Sequence, residues 1–157
     1  MTDHAAIPAS RAASDRDGKH LTLMLGKEEY GVAVRDVREI VGPMPVTPVP
    51  GTAAHVLGVV NLRGKVVPVL DLRVRLGLPP VEVGPRSCVV VCQGAGSALV
   101  GLLVDTVVEV LTVRAQEVEP PPTMAGAEVQ GLAKVKGRVV ILLDVPATIA
   151  TGQGAGF

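Results

Sequence analysis

Aromatic residues are almost missing from this chain: among 157 residues there is one tyrosine, one phenylalanine and no tryptophan. Proteins that bind nucleic acid carry a basic excess, and those that hold single strands stack bases on aromatic rings. Neither feature is present, because fifteen basic residues balance fifteen acidic ones. Nucleic acid is therefore not an expected partner. Long apolar runs are lacking too. The stretch from Ala98 to Val104 stops at Asp105, far short of the roughly 18 apolar residues of a membrane span, so no direct membrane insertion is expected. The first twenty residues alternate charge with Ala and Ser and contain no apolar core, which excludes a signal peptide and predicts a disordered tail over 1–20. A second short tail is expected over 151–157. These features together predict a cytoplasmic protein.

Chemistry-bearing clusters are equally scarce. The three histidines, His4, His20 and His55, have no zinc-site spacing, and the two cysteines do not form a C-x-x-C. Neither a metal nor a cofactor is expected. Cys88 and Cys92 bracket three valines. On a strand they share a face about 13 Å apart, at about 3.3 Å per residue, whereas a disulfide spans Cα separations only up to about 7 Å. Two reduced core thiols are expected. Ser97 lies in GAGSAL, which is neither a nucleophile elbow nor a phosphate loop, since the third glycine is missing and a strand follows. With no nucleophile–base pair, enzymatic activity is not expected.

What the chain does have is aliphatic mass. Valine richness and a hydrophobic fraction of 48% point to strands. The most informative feature is an internal repeat. Val56–Leu76 (VLGVVNLRGKVVPVLDLRVRL) matches Val129–Ile149 (VQGLAKVKGRVVILLDVPATI) at an offset of 73, with seven of twenty-one positions identical, among them Gly58 with Gly131 and Asp71 with Asp144. Tyr30–Ile40 matches Val100–Val110 at an offset of 70, through Gly31, Val34, Val37 and Glu39. Each unit reads as two short strands, Leu21–Leu25 and Tyr30–Val34 or Val89–Cys92 and Ala98–Val104. A hairpin then closes the unit, Gly58–Leu62 turning at Arg63-Gly64 into Val66–Leu70. Asp71 and Asp144 end a strand where an Asp can cap a short helix, predicted over Leu72–Leu76 and stopped by Gly77. Capping, rather than acid–base catalysis, is the expected job of this pair; Asp105 has no assigned role. The fold class predicted is all-β in the main, with two five-stranded barrels side by side, the first over about 21–80 and the second over 87–150 of a domain spanning 21–150.

The runs EYGVAVRDVREIVGPMPVTPVPG, HVLGVVNLRGKVVPVLDLRVRLGLP, VVVCQGAGSALVGLLVDTVVEVLTV and GLAKVKGRVVILLDV, in that order, strongly resemble the CheW family of bacterial chemotaxis coupling proteins. The resemblance implies two SH3-like barrels and a non-catalytic scaffold. It implies as partners the cytoplasmic domain of a chemoreceptor and the regulatory domain of a CheA-type histidine kinase. A different class, a ligand- or nucleic-acid-binding pair of small barrels, is opposed by the zero net charge. Family receptor contacts line a groove between the barrels, and the matching positions here are Val34, Val37, Ile40 and Val107, with Gly58 and Arg63 nearby. Glu39 and Gly58 match positions tied to kinase coupling. The three-residue recurrence of Val34, Val37 and Ile40 predicts a turn-like segment presenting one stripe. Leu23 and His55 stand where relatives often carry an aromatic.

Overall fold

A computed structural model describes residues 18–94 and 98–150. The predicted terminal tails therefore lie largely outside the described residues, as does Ser97 with most of its loop. Residues 18–20, expected in the first tail, instead begin strand β1, and His20 is buried there.

The first unit contains β1 (Gly18–Leu25), β2 (Glu28–Ala33), a 3-10 turn (Val34–Asp36), β3 (Val37–Val41), β4 (Val56–Leu62), β5 (Lys65–Asp71) and helix α1 (Leu72–Arg75). The second contains β6 (Cys88–Gln93), β7 (Leu99–Val104), β8 (Thr106–Val113), the two-residue β9 (Val118–Glu119), β10 (Val129–Val135), β11 (Arg138–Leu143) and helix α2 (Val145–Ile149). Local chemistry explains the boundaries. Arg63 (φ 51°) and Gly64 (φ 87°) are both left-handed, as are Lys136 (φ 53°) and Gly137 (φ 77°). Two successive left-handed residues make the hairpin turn whose twist suits its strands. The Asp71 Oδ1 accepts from the Arg73 N–H (3.0 Å) and the Asp144 Oδ1 from the Ala147 N–H (3.1 Å), so both aspartates cap helices as expected. The first helix ends at Arg75, with Leu76 as its cap and Gly77 at φ 83°.

The molecule is mainly β, with two SH3-like barrels, but each repeat unit does not close its own barrel. One sheet runs β8-β1-β2-β11-β10-β9 and the other β3-β6-β7-β5-β4. The first takes β1 and β2 from the first unit and β8 to β11 from the second; the other takes β6 and β7 from the second unit and β3 to β5 from the first. Each sheet has one antiparallel joint between units, β1 with β8 or β3 with β6, and one parallel joint. In the parallel pairs Gly31 of β2 faces Leu142 of β11, and Gly101 of β7 faces Val69 of β5. These two pairs are equivalent under the repeat. The stretches 21–80 and 87–150, expected as one barrel unit each, exchange strands reciprocally between the two sheets. The links that cross between sheets are short, Val34–Asp36 between β2 and β3 and Asp105 alone between β7 and β8. A single residue cannot turn a strand back into a hairpin with its predecessor, whose shortest loops have two.

Three hydrophobic clusters follow from this exchange. Val60, Leu62, Val67, Val69, Val89 and Val91 fill one barrel. Leu111, Val113, Ala133, Val135, Val140 and Leu142 fill the other. A third cluster lies between them and draws on both sheets, with Leu21, Leu23 and Leu25 of β1, Val90 and Cys92 of β6, and Val100, Leu102 and Val104 of β7. Alternate residues of β6 thus feed two cores, which is why Cys88–Cys92 is apolar without a break. Burying each such side chain contributes about 1.5–3 kcal/mol.

Candidate functional site

The crossing links bring most of the expected groove positions to one place. Val34, in the 3-10 turn, and Val37, at the start of β3, are half-buried and pack against the shared cluster. Val107, just beyond the other crossing, does the same. Val37 pairs with buried Cys92, and its repeat partner Val107 pairs with buried Leu23. The same irregularity follows each valine. The extra residue of a bulge is Arg38 on β3 and Val108 on β8, a local kink that re-aims the strand.

The expected segment is helical only over Val34–Asp36; from Val37 it is a strand. The extra residue Arg38 sets Val37 and Ile40 opposite Cys92 and Val90, on one face, while Glu39 and Val41 lie opposite Val91 and Val89 on the other. Ile40 is 44% exposed. It is an apolar residue on terminal strand β3, on the same face as Val37 and more open than it.

Arg63 and Glu39, expected to serve different partners, are joined: the Arg63 guanidinium donates to the Glu39 carboxylate. Gly58 is buried in β4 at φ 146°, and a Cβ there would meet the Thr47 carbonyl oxygen at 2.1 Å. The cause is a backbone bridge, Thr47 N–H to Val59 O (2.8 Å) and Val59 N–H to Thr47 O (2.9 Å), which lays the 47–48 segment over the glycine. Gly58 offers backbone clearance rather than a contact surface.

Several polar residues of the site had no role assigned from the sequence. Arg138 holds Glu29 through two bonds of 3.1 Å and Glu109 at 2.8 Å. Glu109 is the repeat partner of Glu39, so the repeat itself was the available signal. Arg73 grips Asp105 with Nε to Oδ1 at 2.9 Å and Nη2 to Oδ2 at 2.5 Å. These hydrogen bonds, joined by one from the Gly26 N–H and by the guanidinium charge, hold the Asp105 carboxyl below the usual carboxylate range, against the opposing effect of burial. Burial, with Asp36 nearby, pushes the Cys92 thiol up to about 12. Burial, then the charge of Arg75, lowers the His55 imidazole.

A cavity of about 380 Å³ opens in the barrel of β3–β7, lined by Met44, Leu57, Val69, Asp71, Val89 and Leu103 among others. None of the groove positions lines it. Among the described residues no group of three His, Cys, Asp or Glu could hold a metal ion, and no helix is long and apolar enough to cross a membrane. The groove positions Val34, Val37 and Val107 offer a partly open apolar surface on the shared cluster.

Comparison with known proteins gives the family. The CheW-like domain family matches residues 19–153. A chemotaxis protein CheW of Rhizobium meliloti is 38% identical over 139 residues, covering 81% of this chain and 89% of its own length. One of Klebsiella aerogenes is 34% identical, with 93% and 90% covered. The crystal structure of the scaffolding protein TtCheW from Thermoanaerobacter tengcongensis superposes with a TM-score of 0.80 at 31% identity, covering 87% of this chain and 95% of that one.

Proposed function

This chain belongs to the CheW-like domain family and is a coupling scaffold of chemotaxis-type signalling, and from that premise we propose that it joins the cytoplasmic tip of a chemoreceptor to the regulatory domain of a CheA-type histidine kinase. It does so without chemistry of its own, as a cytoplasmic protein carried into receptor arrays by its partners. The receptor lies in the groove bordered by Val34, Val37 and Val107. Ile40, Gly58 and Arg63 shape its surroundings, and Glu39, with Gly58, transmits to the kinase.

The observation that carries this reading is the placement of Val37 and Val107. Repeat-equivalent valines at the two crossings are each packed on the cluster shared by both barrels, yet each keeps part of its surface open. An apolar strip with a firm base and an open face suits a helical partner, whose apolar side chains enter such grooves. Anchors of this kind dominate binding energy, while the surrounding polar residues exclude water.

Val37→Asp tests it. A carboxylate in a surface that must lose water on binding costs affinity heavily. The expected result is loss of capture by an immobilised receptor cytoplasmic fragment, with a melting curve close to that of the unaltered chain. A collapsed melt would place Val37 in the core alone and remove the groove reading.

A further inference from the structure

The repeat predicts every polar tie between the barrels twice, and one of them occurs only once. Helix α1 follows β5 in one sheet, and both of its arginines reach the other. Arg73 holds Asp105, whose Oδ2 also accepts from the Gly26 N–H (2.8 Å) and whose own N–H donates to the Met24 carbonyl (3.2 Å). Met24 and Gly26 flank the end of β1, in the sheet opposite α1. Arg75 donates to the Thr148 carbonyl (2.7 Å), the Ala147 carbonyl (3.0 Å) and Glu128 (2.9 Å). Ala147 and Thr148 belong to α2, and Glu128 immediately precedes β10. The repeat partners of Arg73 and Arg75 are Pro146 and Thr148, and that of Asp105 is Arg35, so the second unit supplies no copy of this tie.

The location matters as much as the bonds. Asp105 is the whole link between β7 and β8, and Val107 stands two residues further on. The opposite wall of the groove, Val34 and Val37, flanks the other crossing. The walls are thus set by how the barrels sit relative to each other, and one carboxylate joins the crossing chain, the β1–β2 turn and α1. Arg73 and Asp105 are largely enclosed, with side chains 14% and 26% exposed, so solvent screens this pair less than the Arg63–Glu39 pair at the rim. A bidentate guanidinium–carboxylate pair also fixes direction as well as distance.

We infer that the Arg73–Asp105 pair, backed by Arg75, is an inter-barrel latch that sets the width of the groove. Arg73 and Asp105 are positioning residues for a partner they do not touch. The inference rests on the groove reading above.

The test uses the full chain carrying Cys88→Ser, with spin labels at Lys65→Cys and Lys136→Cys, one on the exposed hairpin tip of each barrel; Cys92 is fully buried. Arg73→Gln, Asp105→Asn, their double variant and Arg73→Lys are compared. Three readouts are taken: urea unfolding, the inter-label distance distribution and the Kd for a receptor cytoplasmic fragment. Each neutral variant should broaden or shift the distance and weaken binding roughly 2- to 30-fold, the range of couplings carried through intermediate residues. The double variant should lose no more than either single, because both break one interaction, and Arg73→Lys should recover part. An unchanged distance distribution overturns the latch. A changed distance with unchanged Kd overturns its role at the groove. Absence of binding by the unaltered chain overturns the groove itself, while the distances still decide whether the pair orients the barrels. Where a neutral variant unfolds, Arg73→Lys carries the same comparison.

Discussion

Arg63 and Glu39 connect the two ends of one sheet. Glu39 lies on β3 and Arg63 in the β4–β5 turn, and β3 and β4 are the terminal strands of the order β3-β6-β7-β5-β4. The pair therefore spans the seam where the barrel closes. In the other barrel Arg138 bonds Glu109 of terminal β8 and Glu29 of β2, a counterpart built from the adjacent hairpin cation. A cation at the hairpin thus serves closure in both halves.

The Arg63 side chain is 69% exposed, and exposed ion pairs contribute about 0–1 kcal/mol. Arg63→Ala should leave the unfolding midpoint nearly unchanged while sharply lowering receptor-dependent kinase activation. Arg63→Lys should restore activation only in part, since an ammonium lacks the fork geometry. Glu39→Gln should resemble the alanine variant. Full activation by Arg63→Ala at matched concentration would make the residue a solvated turn cation and nothing more.

Gly58→Ala should act through the fold. The new methyl group meets the Thr47 carbonyl and demands a φ that L-residues rarely adopt, a strain of roughly 1–3 kcal/mol. Urea titration should show the loss together with weakened partner binding. Unchanged stability with lost binding would instead make Gly58 a direct contact.

Acid should release the latch. The Asp105 carboxyl titrates below its ordinary range because Arg73 and the Gly26 N–H bond to it. A depressed folded value means its contribution is complete above the unfolded value, roughly pH 4, and is lost as pH falls through the folded one. The stability difference between the unaltered chain and Asp105→Asn should thus be constant from pH 7 to about 5 and shrink below pH 4. The charged groups in play are Arg73 itself and Asp71, which acts on it. A difference that persists undiminished at pH 2 would show that the carboxylate charge contributes nothing.

The thiols should separate kinetically. Cys92 is buried with its thiol pushed up to about 12, whereas Cys88 is only half-buried. Alkylation at pH 8 should modify Cys88 first and reach Cys92 only in denaturant. Equal rates in the folded state would contradict the burial of β6.

Features that depend on neighbours in the chain were legible beforehand. The hairpin turns at Arg63-Gly64 and Lys136-Gly137, the caps at Asp71 and Asp144, and the repeat all rest on local hydrogen bonding and on identities a few residues apart. The three-residue recurrence of Val34, Val37 and Ile40 was read as one turn, while β6 offered Val37–Val41 a partner strand and the extra residue Arg38 kept Val37 and Ile40 on one face. Backbone bonds to that partner outweighed a local period that suits either structure.

By itself, then, the amino-acid sequence determined the opening strands and hairpins of each unit, their turns and caps, the duplication and the family, but not β3, β8 or β9. The tertiary structure decided which strands pair. Because the halves are equivalent, β2 could meet β5 or β11 with nearly the same chemistry, Gly31 facing Val69 or Leu142. No local preference distinguishes those choices. The one-residue link at Asp105 and the three-residue turn at Val34–Asp36 settle the matter by carrying each chain into the opposite sheet. The shared cluster, the groove on its surface and the Arg73–Asp105 pair exist only because of that exchange.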